Sequence, residues 1–372
     1  MKVEEFLSVL ETDFYAGVPD SQLKALCNYL IATYGVNGKN HIIAANEGNA
    51  VGLAAGYHLA TGKTPVVYMQ NSGEGNAINP ICSLLNEKVY AIPCIFIIGW
   101  RGEPGVHDEP QHIFQGEITC KLLDVLNIEY MIISDTTTVD DVTKQMVKFN
   151  ESLSKGKQVA FVVRKGALSY ERKVEYKNNY QLTREQAIEE IVKFSGDDPI
   201  VSTTGKASRE LFEIRERNGQ DHSRDFLTVG SMGHSSSIAL GIALQKPDKR
   251  IWIIDGDGAM LMHMGSLAVN ASFKSRNIVH ILINNESHET VGGQPTVASK
   301  INFIEIAKSC GYKNVFSCSS AQDLKETLEL IGKKDGDLTF LEIKASIYSR
   351  NDLGRPTTTA LDNKRGFQRK LK

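Results

Sequence analysis

Acidic and amide side chains directly follow two apolar runs in the second half of the chain. Asp257, the centre of a Gly-Asp-Gly triplet, comes just after the run Ile251–Ile254. Asn285, the second of two asparagines, comes just after the run Ile278–Ile283. A carboxylate, an amide oxygen and a backbone carbonyl are the hard oxygen ligands that Mg²⁺ prefers, and Mg²⁺ commonly completes its shell with phosphate oxygens and water. These residue types indicate a magnesium site that is open to phosphate.

The spacing of the two runs predicts that both side chains lie at one edge of a sheet. Residues 259–283 are long enough for one helix that crosses back over the sheet. Two parallel strands joined by such a crossover end at the same edge, so we expect Asp257 and Asn285 to be neighbours. The alternative is a pair of ordinary turns at strand ends, where Gly, Asp and Asn are common.

The Gly-Asp-Gly triplet and the later Asn-Asn pair, at this spacing, resemble the signature of the thiamine-diphosphate enzymes. The resemblance implies two cofactors, thiamine diphosphate and Mg²⁺. It also implies that the metal is held by Asp257, Asn285 and the backbone carbonyl of Ser287. Enzymes of this family use two similar domains, one for the pyrimidine ring of the cofactor and one for its diphosphate.

Glu47 has a structural and a catalytic interpretation. It follows the predicted strand Ile42–Ala45 and begins a helix rich in small residues, where the helix dipole favours a carboxylate. The resemblance implies instead that Glu47 hydrogen-bonds N1′ of the aminopyrimidine ring and so assists removal of the proton from thiazolium C2. In an apolar pocket, burial would raise the pKa of this carboxyl.

The resemblance assigns further cofactor contacts to the second half. Met232 corresponds to a bulky apolar residue that lies between the two rings of the cofactor, although packing in the core is the commoner role of methionine. The carbonyl of Gly230 is expected to accept from the 4′-amino group. Backbone N–H groups near helix N-termini are expected to bind the diphosphate, at Gly205, Gly258 and Ala259.

Strand-like runs alternate with helical patterns along the chain, which is typical of parallel α/β architecture. A charged, non-periodic stretch at Ser169–Asn179 indicates a linker, and Thr183 with Gln186 predicts a capping box at the next helix. We predict two thiamine-diphosphate-binding-type domains, each a mostly parallel sheet flanked by helices, with no middle domain. The predicted bounds are 1–168 for the pyrimidine-binding domain, 169–182 for the linker, and 183–372 for the diphosphate- and magnesium-binding domain with its C-terminal tail.

The two halves share a weak internal repeat. A shift of 185 residues places Val66–Met69 on Ile251–Ile254 and Glu47 on Met232. The same shift places Ser72 on Asp257. Because a neutral serine lacks the carboxylate, we expect the metal only in the second half.

The segment Gly99–Gly116, predicted to be a loop, contains candidate residues for substrate recognition. His107 and His112 are candidates for proton transfer or for recognition of charge, since loops at sheet edges often carry function. Together with Phe14–Ser21 and Thr203–Leu211, this segment resembles the phosphonopyruvate decarboxylases. That resemblance implies non-oxidative decarboxylation of 3-phosphonopyruvate to phosphonoacetaldehyde and CO₂. The candidate contacts of the phosphonate are Ser21, Arg101, Arg350 and Arg355.

Three alternatives stay open. A sulfopyruvate decarboxylase would act on a group with the same three-oxygen shape and one negative charge. A carboligase of the acetolactate synthase kind would use a second carbonyl substrate. A dinucleotide-binding oxidoreductase also places glycines at strand ends, but no Gly-x-Gly-x-x-Gly follows the first strand of either half.

Length, composition and charge support further predictions about partners, cellular location and oligomeric state. A chain of 372 residues exceeds one typical core, and 42 basic against 44 acidic residues favour neither nucleic acid nor an anionic membrane as a partner. The first residues do not form a signal peptide, no apolar run has transmembrane length, and the six cysteines lack Cys-x-x-Cys spacing. We therefore predict a cytoplasmic protein that binds a small 2-oxo acid. Because Glu47 and Asp257 lie in different halves, which meet between subunits in the resembling family, we predict a homodimer or higher homo-oligomer.

Overall fold

The chain forms two compact units. The computed structural model describes residues 1–273, 277–333 and 337–372. Its units are Met1–Glu175 and Tyr176–Lys372. Each contains one six-stranded, entirely parallel sheet with an apolar core on both faces. The predicted fold class, α/β with two sheet domains, is confirmed, and within the described ranges no middle domain separates the two units.

The first unit alternates strands and helices along the chain. Its strands are β1 Tyr15–Gly17, β2 His41–Ile43, β3 Val66–Gln70, β4 Cys94–Gly99, β5 Glu129–Ile133 and β6 Gln158–Val163. Its helices are α1 Val3–Ser8, α2 Lys24–Tyr34, α3 Glu47–Thr61, α4 Glu74–Pro80, α5 Pro110–Val125 and α6 Val139–Leu153. A 3₁₀ turn at Asn71–Gly73 precedes α4, and a π-helical turn at Ile81–Leu85 follows it.

The second unit repeats this alternation. Its strands are β7 Ile200–Ser202, β8 Asp225–Leu227, β9 Ile251–Gly256, β10 Ile278–Asn284, β11 Ser287–His288, β12 Gln294–Pro295, β13 Asn314–Cys318 and β14 Thr339–Lys344. Its helices are α7 Arg184–Ser195, α8 Lys206–Arg217, α9 Ser235–Gln245, α10 Asp257–Met262, α11 Ser266–Ser272, α12 Phe303–Cys310, α13 Ala321–Lys333 and α14 Ala360–Leu371. Thr183 and Gln186 form the predicted capping box at α7.

Continuous apolar runs form the central strands because helices cover both faces of each sheet. Every residue of β4 and of β10 is buried. Successive side chains of β4 enter opposite cores, Ile95 and Ile97 on one face and Phe96 and Ile98 on the other. Such strands place their carboxyl ends, and the polar residues that follow, at one edge of the sheet.

The two sheets have the same topology. Strand order in the first is β2-β1-β3-β4-β6-β5, and in the second it is β8-β7-β9-β10-β14-β13. In this correspondence β3 matches β9, as the weak sequence repeat predicts. Glu47 and Met232 likewise follow corresponding strands, β2 and β8.

The predicted loop Gly99–Gly116 and the C-terminal tail both contain helices. The segment Gly99–Gly116 was expected to be a loop throughout, but α5 begins at Pro110, because proline is preset for the first position of a helix. The tail beyond Tyr348 ends in α14, whose Phe367 is buried against the core. Among the described helices, none combines the length and apolar composition needed to cross a bilayer.

Candidate cofactor site

A pocket lies at the carboxyl edge of the second sheet, at the ends of β7, β9 and β10. The pairing of β9 with β10 sets Gly256 opposite Ile283, which brings Asp257 and Asn285 to adjacent positions. The chain leaves β7 toward β8 on one side and returns to β9 on the other, and open α/β sheets commonly bind ligands at such a reversal. Lining residues include Arg184, Thr203, Thr204, Lys206, Met232, Asp257, Gly258, Ala259, Asn285, Ser287, His288, Glu289 and Thr290.

Asp257 is the first residue of α10 and is almost fully buried. The hydroxyl of Thr296 donates to its Oδ2 over 2.5 Å. Burial raises the pKa of the Asp257 carboxyl to about 7, and the hydrogen bonds from Thr296 and from nearby backbone N–H groups only partly oppose this effect. A cation at this position favours the ionised form, so the burial of Asp257 fits a metal ligand.

Asn285 lies beside Asp257 with its amide held at both ends. Its Oδ1 accepts from the Ser287 N–H at 3.1 Å, and its Nδ2 donates to Glu289 Oε2 at 3.1 Å. The described residues contain no group of three His, Cys, Asp or Glu side chains that could hold a metal. The available donors are therefore a carboxylate, an amide oxygen and a backbone carbonyl, a set that fits Mg²⁺ with phosphate and water as its remaining ligands.

One end of the pocket is formed by glycines and a hydroxyl. Gly205, which immediately precedes α8, has φ of 83°, a conformation that favours glycine. A Cβ at Gly258 would lie 2.9 Å from His288 Cε1 and 3.3 Å from Met232 Cε, so a side chain there would enter occupied space. The Thr203 hydroxyl is buried, and no described residue hydrogen-bonds it. This end fits a diphosphate at the start of a helix.

A buried network of charges borders the pocket. Arg184 donates to both carboxylate oxygens of Glu210 at 2.7 Å and to Glu289 Oε2 at 2.6 Å. Glu289 Oε1 accepts from Lys206 Nζ at 2.9 Å. Burial favours a higher pKa for Glu289, but Arg184 and Lys206 outweigh burial and hold the pKa below its usual value. Glu289 is thus an anion that holds two cations beside the pocket.

Glu47 is the first residue of α3, in the first unit. The helix cap is supplied by Asn46, whose Oδ1 accepts from the Asn49 N–H at 2.9 Å. The Glu47 side chain is buried, accepts from Asn76 Nδ2 at 2.8 Å and packs directly against Gly73. Burial raises the pKa of Glu47, and the bond from Asn76 opposes this shift. A buried carboxyl with a raised pKa suits proton exchange.

Comparison with known proteins gives the family. The model of the N-terminal TPP binding domain of thiamine pyrophosphate enzymes matches residues 3–125, and the model of their C-terminal TPP binding domain matches residues 203–343. A phosphonopyruvate decarboxylase of Streptomyces viridochromogenes is 34% identical over 371 residues, which cover 95% of this chain and 90% of that protein. The chain belongs to the thiamine pyrophosphate-dependent decarboxylases.

Other decarboxylases are similar over nearly the whole chain. A phosphonopyruvate decarboxylase of Streptomyces hygroscopicus is 33% identical over 371 residues, 95% of this chain and 89% of that protein. A sulfopyruvate decarboxylase of Methanosarcina acetivorans is 27% identical over 365 residues, 92% of this chain and 90% of that protein. As a member of this family, the enzyme uses thiamine pyrophosphate, that is, thiamine diphosphate, as its cofactor.

In this thiamine diphosphate-dependent decarboxylase, Ser21 and Arg101 lie together at the carboxyl edge of the first sheet. Arg101 donates to Ser21 Oγ at 3.1 Å. It also donates to both carboxylate oxygens of Asp108, at 2.7 and 2.5 Å. Despite partial burial, the guanidinium of Arg101 holds the pKa of the Asp108 carboxyl well below its usual range. Buried Asp20 orders the adjoining turn by accepting from the backbone of Gln22 and Leu23. The charge of Arg101 is thus largely balanced by Asp108.

The two histidines of this region differ in setting. His107 is exposed in the connection before α5, whereas His112 is half-buried in the first turn of that helix. The helix packs so closely on Gly102 that a side chain at that position would collide with the His112 carbonyl. The position of His112 is therefore set by helix packing.

The two arginines of the C-terminal tail differ in their surroundings. Arg350 forms ion pairs with Glu185, Glu213 and Asp352, so three carboxylates engage its charge. Arg355 is exposed. Ser349 of the tail contacts the charge network beside the pocket. Its hydroxyl accepts from Lys206 Nζ at 2.5 Å.

Sequence reasoning missed four residues of the pocket region. Thr296 contacts the Asp257 side chain, Glu289 contacts the Asn285 side chain, and Arg184 donates to Glu289. The half-buried His288 packs on Gly258. Burial lowers the pKa of His288 to about 4, so it is neutral near pH 7. The sequence signal for this region was the Gly292-Gly293 pair soon after Asn285, which indicates a tight loop. Both glycines have positive φ in the structure.

Proposed function

We propose that this enzyme decarboxylates 3-phosphonopyruvate without oxidation, using thiamine diphosphate and Mg²⁺, and releases phosphonoacetaldehyde and CO₂. The observation that carries the proposal is the buried Asp257–Asn285 pocket in a chain similar along nearly its whole length to phosphonopyruvate decarboxylases. When bound, thiamine diphosphate supplies a nucleophilic carbon and a sink for the electrons that remain when CO₂ leaves. The chain's own residues bind and orient it.

In this proposal the second unit, Tyr176–Lys372, binds the metal and the diphosphate. Asp257, Asn285 and the Ser287 carbonyl hold Mg²⁺. Backbone N–H groups of Gly205, Gly258 and Ala259 hold the diphosphate, and Gly230 and Met232 contact the rings. The contact of Met232 Cε with the Gly258 position supports a place for Met232 against the cofactor.

The first unit, Met1–Glu175, binds the aminopyrimidine in this proposal. Glu47 would hydrogen-bond N1′ and exchange a proton with it, and this exchange would assist proton removal at the thiazolium carbon. Its burial and raised pKa support this role, because a protonated carboxyl can donate where an ionised one can only accept.

Ser21, Arg101, His107 and His112 form the proposed substrate region. Ser21 and Arg101 offer donors at one place, and three phosphonate oxygens can accept from them. The two histidines are assigned to proton transfer or to charge recognition. Arg350 and Arg355 of the tail remain candidate contacts of the phosphonate in this proposal, with Arg350 in ion pairs with three carboxylates and Arg355 exposed.

We propose a homodimer in which Glu47 of one subunit meets Asp257 of its partner. One face of α3, the helix that begins with Glu47, supports a second copy as its occupant. Gly52 and Gly56 have no atom within 4 Å of a built Cβ, and Leu53 is 37% exposed between them. A smooth, partly apolar helix face fits an isologous contact. We also place the enzyme in the cytoplasm, because its six cysteines are free.

A substrate competition tests the function. Purified protein with thiamine diphosphate and Mg²⁺ is given phosphonopyruvate, sulfopyruvate and pyruvate, and CO₂ and aldehyde are measured. We expect kcat/KM to be highest for phosphonopyruvate and lowest for pyruvate, because the substrate region is polar and a methyl group offers it no acceptor. A preference for sulfopyruvate, supported by the relative from Methanosarcina acetivorans, would favour the second candidate function.

A further inference from the structure

The loop 286–296, here named the ligand loop, contacts both side chains to which we assign the metal. It begins directly after Asn285 and contains the short hairpin in which Ser287 pairs with Pro295 and His288 with Gln294. It closes at Thr296, whose N–H donates to the Glu286 carbonyl at 3.0 Å. The two ends of the loop therefore lie together, beside the ends of β9 and β10.

Thr296 holds the carboxylate of Asp257. Its hydroxyl oxygen lies 2.5 Å from Asp257 Oδ2 and also accepts from the Ala298 N–H at 3.3 Å. Because a carboxylate can only accept, the hydroxyl proton points to Asp257 when that residue is ionised. This bond fixes the rotation of the carboxylate and leaves Oδ1 for other partners. A hydrogen bond from outside the ligand set commonly tunes a metal site in this way.

Glu289 holds the amide of Asn285. A carboxylate has no proton to donate, so the amide nitrogen, and not its oxygen, must face Glu289 Oε2. The amide oxygen of Asn285 then points away from Glu289, to the side where the Ser287 N–H lies. Glu289 thereby selects which atom of Asn285 is presented as a ligand.

Glu289 is itself immobilised by two cations, of which Arg184 is buried. Arg184 and Lys206 occupy its two oxygens, and Arg184 is braced by the paired bonds to Glu210. The side chains of Arg184, Glu210 and Glu289 are 10% exposed or less. The ligand loop is thus tied to α7 and α8, and its position is set by parts of the chain distant in sequence.

We infer that the ligand loop positions both side-chain ligands of the metal, with Thr296 acting on Asp257 and Glu289 acting on Asn285. The inference rests on the proposed function, since it takes Asp257 and Asn285 as the metal ligands. It makes Thr296 and Glu289 positioning residues that set metal affinity without touching the metal.

Replacement of Thr296 tests the first contact. Thr296→Val keeps the shape and removes the hydroxyl, whereas Thr296→Ser keeps the hydroxyl. Mn²⁺ binding to the protein with thiamine diphosphate is measured from the free-ion signal in electron paramagnetic resonance. We expect Thr296→Val to weaken binding by about 10- to 100-fold, the usual effect of losing such a partner, and Thr296→Ser to restore it. At saturating metal, kcat of Thr296→Val should return toward the wild-type value, because the ligands themselves remain.

The possible failures are distinguishable. If the wild-type protein with cofactor binds no Mn²⁺, both the metal assignment and this inference are wrong. If the wild-type protein binds Mn²⁺ and folded Thr296→Val binds it equally well, the inference alone is wrong. Thr296→Ala replaces Thr296→Val if the latter does not fold, which circular dichroism reports.

Replacement of Glu289 tests the second contact. Glu289→Gln keeps the shape but can present an amide nitrogen to Asn285, so the amide of Asn285 loses its fixed orientation. We expect weaker Mn²⁺ binding with the same readout. Glu210→Gln is the matched control, because it alters the partner of Arg184 without contacting Asn285, and its effect should be smaller. Equal Mn²⁺ affinity in Glu289→Gln and the wild type would remove Glu289 from the inference.

Discussion

At the scale of single residues, burial raises the pKa of the Glu47 carboxyl, a shift that its position in the sequence does not by itself produce. The side chain is 5% exposed, is hydrogen-bonded by Asn76 and has a raised pKa. Asn46 already caps α3, so the helix does not require a carboxylate at Glu47 for its first turn. These contacts favour the catalytic interpretation of Glu47.

Glu47→Gln should separate cofactor binding from cofactor activation. The amide keeps the shape of the side chain but cannot exchange a proton with N1′. We expect thiamine diphosphate to bind while exchange of its C2 proton, followed by NMR, slows by about two orders of magnitude. Exchange at the wild-type rate would return Glu47 to a structural role.

Glu74 is a second buried carboxyl, outside the proposed chemistry. It is 5% exposed, and no described residue hydrogen-bonds either oxygen. Thr119 lies near, but its hydroxyl donates to the Gln115 carbonyl and accepts from Asn71, so it has no proton left for Glu74. Burial raises the pKa of Glu74 to about 8 from an ordinary value of 4.5.

The raised pKa of Glu74 should be detectable in the pH dependence of the free energy of unfolding. Between pH 4.5 and about 8 the folded chain binds a proton that the unfolded chain releases. The contribution of Glu74 to the free energy of unfolding is therefore full below pH 4.5 and is lost as pH rises through about 8. Relative to Glu74→Gln, which stays neutral, the wild type should lose up to about 1.4 kcal/mol per pH unit in this range. Urea denaturation at several pH values measures this difference.

The exposed Glu117 provides the control for this measurement. Glu117→Gln should keep the pH dependence of the wild type, because it removes an exposed carboxyl and leaves buried Glu74 in place. A Glu74→Gln protein with the same pH dependence as the wild type would show that Glu74 is ionised in the folded chain.

At the scale of elements, α14 completes the edge of the second sheet. β8 is an edge strand, and Asn363 accepts from the Leu227 N–H at 3.1 Å and donates to the Asp225 carbonyl at 2.8 Å. One side chain thus satisfies two backbone groups that a neighbouring strand would otherwise pair. Phe367 packs beside Phe226, with ring centroids 5.6 Å apart.

Phe367→Ala should destabilise the second unit. The ring is 3% exposed, and removal of a buried phenylalanine typically costs about 3–5 kcal/mol. Leu361→Ala on the same helix is the control, because Leu361 is 49% exposed and surface substitutions usually change stability by less than about 0.5 kcal/mol. Equal unfolding midpoints in urea for the two variants would mean that α14 is not part of the folded core.

At the scale of the whole molecule, two units with one topology carry different chemistry. The position that bears Asp257 after β9 corresponds to Ser72 after β3, so the metal is expected in the second unit only. Glu47 lies in the first unit. The proposed dimer therefore has two equivalent sites, each with Glu47 from one subunit and Asp257 from the other.

A mixing experiment tests this arrangement. Glu47→Gln and Asp257→Ala should each be inactive, and Asp257→Ala should also lose metal-dependent cofactor binding measured by calorimetry. Mixed and allowed to exchange subunits, they should regain activity, because each hybrid dimer contains one intact site. A wild-type protein that is monomeric in light scattering and fully active at the same concentration would contradict the dimer.

The sequence alone determined the features that depend on local pattern. Continuous apolar runs predicted the parallel strands, and the residues that follow them predicted that Asp257 and Asn285 would be adjacent, as the pairing of β9 with β10 requires. Thr183 and Gln186 are close enough in sequence for their capping box to be predicted. Such features are predictable because periodicity and short spacing fix them before packing does.

Tertiary structure decided the contacts between distant segments. Thr296 donates to Asp257, which is 39 residues away in the sequence. Arg184 donates to Glu289, which is 105 residues away. Polar residues of these types occur throughout the chain, so their types do not reveal which pairs meet. Burial of Glu74 and Glu47 likewise follows from the elements packed around them. Packing brings these groups together and removes water from them, and that desolvation gives both carboxyls their raised pKa values.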